Sequence, residues 1–379
     1  MQSKRYPGFV DLHVHFRDPG MPNAETTKTG LSAAYNGGFA AVVTMPNTTP
    51  AGDNVEWVRK QIENPDCVHT EIIPSACITK GRLGKEVADL EALKAAGAAF
   101  FTDDGSYVAD TRVMEEAMRR AAAIDMAICD HAVDPVLQGN GVIRDCPLAR
   151  RLGLPIIPPE AETVAIARDI SLCRTTGCRL HIQHISTAKG VELVREAQRE
   201  GLPVTAEVTP HHLLFSCEEL EHDDANYKIS PPLGNNEDRA ELRKAVKDRV
   251  LMFATDHAPH PIETKNKGFL KSANGIVGIE AAIGVTHRVM VIEEGMSDND
   301  WARAWWEMPL KVIRESGSKW HPKHSTAVVL LPDFQELAVV AFASLGRNSP
   351  YDCFKFEAFG VPRDPLTKEE WEEFERNEA

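Results

Sequence analysis

Short apolar, β-branched runs recur along the chain, each followed by a longer polar–apolar stretch. The runs cover residues 8–12, 40–45, 71–77, 98–102, 126–129, 179–184, 203–208 and 250–254. The stretches 85–96, 112–124, 161–175 and 188–200 are rich in Ala, Glu, Lys and Arg and carry helical periodicity. Strands alternating with helices specify parallel strands joined by right-handed crossovers. Several runs are continuously apolar, as expected of a sheet covered on both faces. Eight such units predict an α/β fold, a closed (β/α)8 TIM barrel. A doubly wound open sheet is the alternative arrangement.

The rhythm stops near residue 320, which divides the chain into a barrel over 1–320 and a reduced C-terminal accessory segment over 321–379. Within that segment, 327–331 and 337–342 read as short strands around Pro332-Asp333, and 366–379 as a Glu-rich helix. Trp301, Trp305 and Trp306 fall at helical spacing. Core packing is the expected use of that stripe, and a partner surface the alternative.

A chain of 379 residues exceeds the roughly 250 that such a barrel needs. Lys and Arg number 42 against 56 Asp and Glu, a net charge of −14. That balance argues against nucleic acid as the main partner, because phosphate contacts need a basic face. It leaves room for a small anionic substrate, since one buried Arg can hold one carboxylate. No apolar stretch approaches a membrane span, and the first residues lack a signal-peptide core, so a cytoplasmic protein is expected. The eight cysteines form no CxxC pair, which argues against zinc-ribbon and thioredoxin chemistry.

Nine of the fourteen histidines lie at or just beyond the ends of the predicted strands: His13, His15, His131, His181, His184, His211, His212, His257 and His260. Strand C-termini of a barrel converge on its active face. His13 and His15 are two apart on the first strand, so both rings can point inward. Asp103 and Asp104 end the fourth strand, and the residues alone do not choose between them. His131 follows the fifth strand. His181 and His184 face opposite ways on the sixth, and His184 is nearer the site. His211 and His212 are adjacent and read as structural. Asp256 ends the eighth strand, where a carboxylate can bind an ion and accept a proton. Four His and two Asp on five strand ends suggest a two-metal hydrolase site.

The stretches PGFVDLHVHFRDPG, GGFAAVVTMPNTTP, FFTDDG, ICDHAVD, LHIQHIST, VTAEVTPHHLLF, FATDHAPH and GIVGIE resemble the amidohydrolase superfamily and, within it, the bacterial class I dihydroorotases. The resemblance implies a zinc-dependent cyclic amidohydrolase of pyrimidine biosynthesis with two zinc ions per subunit. His13, His15, Asp104 and Asp256 would hold the first ion, and His131 and His184 the second, with Asp104 shared. Alignment with the aspartate-bearing branch favours Asp104 over Asp103. Asp256 would be the catalytic base. Arg17, Asn47 and His260 would bind the substrate carboxylate, and backbone near Gly275 the ring. The Lys-, Gly- and Asn-rich segment 261–274 reads as a mobile loop over the site.

Three departures stand out. Ser230-Pro231-Pro232-Leu233-Gly234 replaces the relatives' Asn-Pro-Pro-Leu-Arg, which bears on substrate choice. Only about eight residues precede the first strand, so the N-terminal half of the family's small sandwich is expected to be missing. The part after 320 matches only at Arg347–Pro350. Other readings are a hydantoinase- or allantoinase-type hydrolase, or a non-catalytic partner of aspartate transcarbamoylase. The resemblance admits a homo-oligomer or assembly with that transcarbamoylase. Mn, Co or Fe could also occupy such ligand sets.

Overall fold

In a computed structural model of the chain, residues 4–315 and 327–330 are described. The strands are β1 (Lys4–Pro7), β2 (Phe9–Val14), β3 (Phe39–Thr44), β4 (Glu71–Pro74), β5 (Ala127–Asp130), β6 (Arg179–Ile182), β7 (Val204–Val208), β8 (Met252–Phe253) and β9 (Ala327–Leu330). Strands β2–β3–β4 and β5–β6–β7–β8 form two parallel arcs. Phe101 bridges the arcs, pairing with Ala76 on one side and Ile128 on the other. Val14 pairs with His257, and the His15 amide donates to the His257 carbonyl at 2.8 Å, which closes the ring. The expected eight-unit barrel is present, and the open sheet is excluded.

The fourth unit is thinner than its sequence suggests. Residues 98–102 contribute only the Phe101 bridge. Two consecutive alanines at 98 and 99 give little side-chain packing to stabilise a regular strand. The Asp11 carboxylate reinforces the seam between first and last strands. It accepts from the Thr255 amide at 3.0 Å, the Thr255 hydroxyl at 2.5 Å and the His13 amide at 3.2 Å.

Helices cover the outside with one apolar face each. In Thr111–Ala123, Met114, Ala117, Met118 and Ala121 are buried at i, i+3, i+4 and i+7, and Asp110 caps the first turn. The helix expected over 85–96 starts later, at Leu90, where Asp89 accepts from the Ala92 amide. Upstream, Val87 pairs with Thr79 in an antiparallel bridge instead.

The tryptophan stripe is core. Trp301 and Trp305 are fully buried, and Trp306 nearly so. Both inner indoles donate to one acceptor, the Thr286 hydroxyl, at 3.1 and 2.9 Å. Trp301 also meets Phe9 and Tyr6 edge-on, at 5.3 and 6.1 Å between ring centres. One expectation is corrected here. The N-terminal residues do contribute a strand: β1 pairs antiparallel with β9, Lys4 opposite Leu330 and Pro7 opposite Ala327. The strand expected at 337–342, the tail helix at 366–379, the Arg347–Pro350 match and the boundary at 320 lie outside the described residues. Among the described residues, no helix is long and apolar enough to cross a membrane.

Candidate metal centre and substrate cavity

The six residues expected to hold metal meet at the C-terminal mouth of the barrel, and all are buried. His13 Nε2 lies 3.2 Å from His15 Nε2, and His131 Nδ1 lies 2.8 Å from His184 Nε2. The Asp104 carboxylate spans the two pairs. Its Oδ2 is 3.3 and 3.1 Å from His13 and His15, and its Oδ1 is 3.4 Å from both His131 and His184. Asp256 Oδ1 sits 3.0 Å from His15 Nε2. Asp103 turns the other way. It accepts from the Ile78 and Thr79 amides and from the Thr79 hydroxyl, which ties strand ends together.

These residues fit a cation. The opposite nitrogens of two rings are already committed: His13 Nδ1 to Glu207 at 2.7 Å and His15 Nδ1 to Asn47 Oδ1 at 2.9 Å. A carboxylate and an amide oxygen only accept, so both rings carry their proton on Nδ1. Their Nε2 lone pairs then face each other, which is repulsive unless a positive charge stands between them. Asp104 Oδ1 is buried and accepts no hydrogen bond. The field agrees. Burial pushes His13 toward the neutral form, but Asp104, Asp256 and Glu207 outweigh it and raise its pKa well above the ordinary value. Asp104 and Asp256 lie well below the carboxylate range, because nearby histidines outweigh their burial. A field that would trap a proton here would equally hold a metal.

A cavity of about 480 Å³ opens over the cage. Arg17, Asn47, His260 and Gly275 line it, together with Ser230. Arg17 is buried. Its Nε donates to the Pro259 carbonyl at 3.4 Å, and its Nη2 lies 3.2 Å from His260 Nε2. Burial lowers the Arg17 pKa to about 10 against the pull of Asp256 and Asp104. His260 donates to the Asn274 carbonyl at 2.7 Å. Burial and the Arg17 charge lower its pKa to about 3, so it is neutral near pH 7. Gly275 has φ +145° and no room for a side chain, since a Cβ would meet the Ala258 carbonyl at 2.4 Å. Its amide already donates to the Lys228 carbonyl at 3.0 Å.

The segment 261–274, expected as a loop over the site, packs against residues 223–228. It holds two short turns, Ile262–Lys265 and Gly268–Lys271. Lys265 is buried and donates to the carbonyls of Lys228 and Ala273, both at 3.1 Å. Lys228 reaches the Ser272 carbonyl at 2.7 Å, and Asp223 accepts from the Phe269 amide at 2.6 Å. A Lys- and Asn-rich stretch reads as solvated, yet Lys265 within it and Lys228 facing it are both buried.

The sequence reading placed His181, His211 and His212 outside the cage, and the structure does so too. His181 donates to Glu207 at 2.9 Å, and His212 contacts Thr209 and the Pro231 carbonyl. It missed Glu207, a fully buried carboxylate shared by His13 and His181. A lone acid in the apolar strand Val204–Val208 was the available signal. It also missed Arg82, which lines the cavity but sits in the polar stretch KGRLGK, where nothing marks it.

Backbone strain gathers at the site. Among the described residues, Arg17, Arg82, Asp125, His184, Arg249 and Asp256 are the non-glycine positions with positive φ. Four of them, Arg17, Arg82, His184 and Asp256, line the cavity. Such conformations cost on the order of 1–3 kcal/mol each and persist where the surroundings over-determine them.

Solved structures place this architecture. An L-hydantoinase of Arthrobacter aurescens superposes with a TM-score of 0.76 at 23% identity, covering 96% of this chain and 83% of that one. A dihydroorotase of Saccharomyces cerevisiae, solved with 5-fluoroorotic acid, gives 0.74 at 17% identity, covering 97% and 100%. The fold is that of these hydantoinase and dihydroorotase barrels. A family model described as dihydro-orotase-like matches residues 5–190. Dihydroorotases of Anoxybacillus flavithermus and Bacillus subtilis are 42% and 41% identical to it, each over 91% of this chain and 82% of the relative. The chain belongs to the dihydroorotase family.

Proposed function

We propose that the chain is a zinc-dependent, cytoplasmic dihydroorotase that interconverts N-carbamoyl-L-aspartate and L-dihydroorotate plus water in pyrimidine biosynthesis. The observation that carries the reading is Arg17. It is a buried guanidinium beside the cage that donates to a backbone carbonyl and forms no ion pair with a carboxylate among the described residues. A carboxylated substrate supplies the missing counter-charge and pairs bidentately with it.

His13, His15, Asp104 and Asp256 would hold one metal ion, and His131, His184 and Asp104 a second. Bound there, the ions supply Lewis-acid polarisation and a water whose pKa falls to about 7 in zinc sites. Asp256 takes a proton from the water that attacks the ring amide carbonyl. It then delivers that proton to the leaving ring nitrogen as the carbon–nitrogen bond breaks. Ring closure runs through the same groups in reverse. Glu207 keeps His13 in the Nδ1–H tautomer, and Asn47 does the same for His15. Arg17, pinned by the Pro259 carbonyl, fixes the substrate carboxylate, and His260, held by Asn274, stands beside it in the wall.

Six convergent donors have no purpose in a scaffold, which disfavours the non-catalytic partner reading. Ser230 lines the cavity and bears on substrate choice. The relatives' Arg at 234 could not be housed, because a Gly234 Cβ would stand 2.7 Å from the Ser186 carbonyl. The test is turnover of zinc-loaded protein on L-dihydroorotate, hydantoin and allantoin beside Asp256→Ala. Conversion of dihydroorotate alone, lost in the variant, is expected. Conversion of hydantoin or allantoin in its place overturns the assignment.

A further inference from the structure

Apart from the cage carboxylates, the charged side chains lining the cavity are Arg17 and Arg82. Arg82 is half-buried. Its Nη2 donates to the Ser106 hydroxyl at 2.7 Å, and its Nε to the Asp103 carbonyl at 3.3 Å. Both partners are neutral oxygens, so the hydrogen bonds aim the guanidinium without neutralising it. Among the described residues, no carboxylate forms an ion pair with it. Its charge is felt by the Asp103 carboxylate on one side, and on the other it adds to the burial that lowers the pKa of Arg17.

Gly105 shows where that charge points. A Cβ at this position would lie 3.0 Å from Asn47 Nδ2 and 3.4 Å from Arg82 Nη2. The glycine therefore keeps open a space flanked by two donors, one of them charged. Arg82 also holds a left-handed φ of 56°, a strain shared with Arg17, His184 and Asp256.

We propose that Arg82 is a substrate-binding, specificity-determining residue. It acts with Asn47 across the Gly105 gap as a second cationic anchor that favours the open-chain dicarboxylate over the cyclic monocarboxylate. The inference rests on the dihydroorotase reading. N-carbamoyl-aspartate carries two carboxylates and dihydroorotate one, so a fixed positive charge attracts the first about twice as strongly at equal distance.

The experiment compares zinc-loaded wild type, Arg82→Gln and Arg82→Lys in both reaction directions, with thermal unfolding of each. Both replacements keep a Cβ, so neither changes the backbone strain. In Arg82→Gln, KM for N-carbamoyl-aspartate is expected to rise about 10-fold and KM for dihydroorotate about 3-fold. The equilibrium constant fixes the ratio of the two kcat/KM values. The asymmetry must therefore reappear as a kcat for dihydroorotate hydrolysis about 3-fold lower relative to ring closure. Arg82→Lys keeps the charge and should hold KM for N-carbamoyl-aspartate within about 3-fold of wild type. Equal KM changes for both substrates in Arg82→Gln, no change, or failure of Lys to rescue would each overturn the proposal. If Arg82→Gln does not fold, the Arg82→Lys comparison and the salt dependence of wild-type KM decide. KM for N-carbamoyl-aspartate must then climb with salt more steeply than KM for dihydroorotate. Wild type inert on both substrates would instead overturn the activity itself, and this assignment with it.

Discussion

Glu207 offers the sharpest test of how the cage is built. Its carboxylate accepts from His13 Nδ1 at 2.7 Å, His181 Nε2 at 2.9 Å and the His184 amide at 3.3 Å. Burial pushes its pKa up, but the His13 charge and the two imidazole hydrogen bonds hold it down to about 2. Glu207→Gln keeps the shape and removes the charge. The amide oxygen can still accept from His13, provided the amide nitrogen faces His181. His181 must then accept on Nε2 and carry its proton on Nδ1, toward the Thr205 hydroxyl 2.8 Å away. The opposite flip would put the His13 proton on Nε2 and remove it as a ligand.

Hydrogen bonds to charged groups contribute about 1.5–3 kcal/mol and neutral ones about 0.5–1.5 kcal/mol. Losing the charge at one or two of these bonds weakens His13 as a ligand by about 1.4–2.7 kcal/mol. That corresponds to roughly 10–100-fold in metal affinity, the range found for groups that orient metal-binding histidines. Competition of apo-protein with a chromogenic chelator for Zn²⁺ measures it directly. Glu207→Ala, which removes the acceptor from His13 Nδ1 altogether, should lose more than the Gln variant. Metal affinity in Glu207→Gln within 2-fold of wild type would refute the claim that this carboxylate sets the His13 tautomer.

Arg17→Ala should raise KM strongly while both metals stay bound, read by turnover beside metal analysis; an unchanged KM would remove it from carboxylate binding. Thr286→Val leaves two buried indole N–H groups without an acceptor, at about 1–3 kcal/mol each, so a loss of about 2–6 kcal/mol in urea unfolding is expected. Lys265 has its pKa lowered from 10.5 to about 7, by burial first and by Lys228 second. The unfolded chain therefore binds more protons than the native one between about pH 7 and 10.5. Stability from this group rises with pH across that window, by at most about 1.4 kcal/mol per unit, and is flat below it. Urea midpoints of wild type and Lys265→Met at pH 7, 8 and 9 should diverge in slope, and parallel lines would contradict it.

The barrel was legible because burial on both faces makes parallel strands read as apolar runs, and seven of the eight became strands. The eighth, 98–102, shows the limit. An apolar run marks a stave, while the ladder around it depends on neighbours that no local pattern records. The ribbon was half legible: β9 falls within the strand expected at 327–331, but Lys4-Arg5-Tyr6-Pro7 has no alternation and its partner lies more than three hundred residues away. Histidines at strand ends were legible because position and residue type coincide. Glu207 and Arg82 were not. One is a single acid among apolar residues, and the other is a basic loop residue whose direction is set by Ser106 and a glycine gap.

Asn47 shows why the cage and the substrate wall cannot be treated separately. His15 must donate from Nδ1 if its Nε2 is to face the cage, so the Asn47 oxygen is turned to His15 and its amide nitrogen to the Gly105 gap. One side chain thus accepts from a ring of the cage and donates toward the space where substrate charge is expected. An anion bound at Nδ2 polarises the amide and makes Oδ1 a better acceptor. That in turn raises the electron density His15 presents to the cage. The coupling runs both ways, since a cation drawing on His15 acidifies its Nδ1–H and tightens the Asn47 contact. Asn47 is therefore the hydrogen-bonded link between the cavity wall and the cage, so substrate charge at its Nδ2 and ligand strength at His15 are set together.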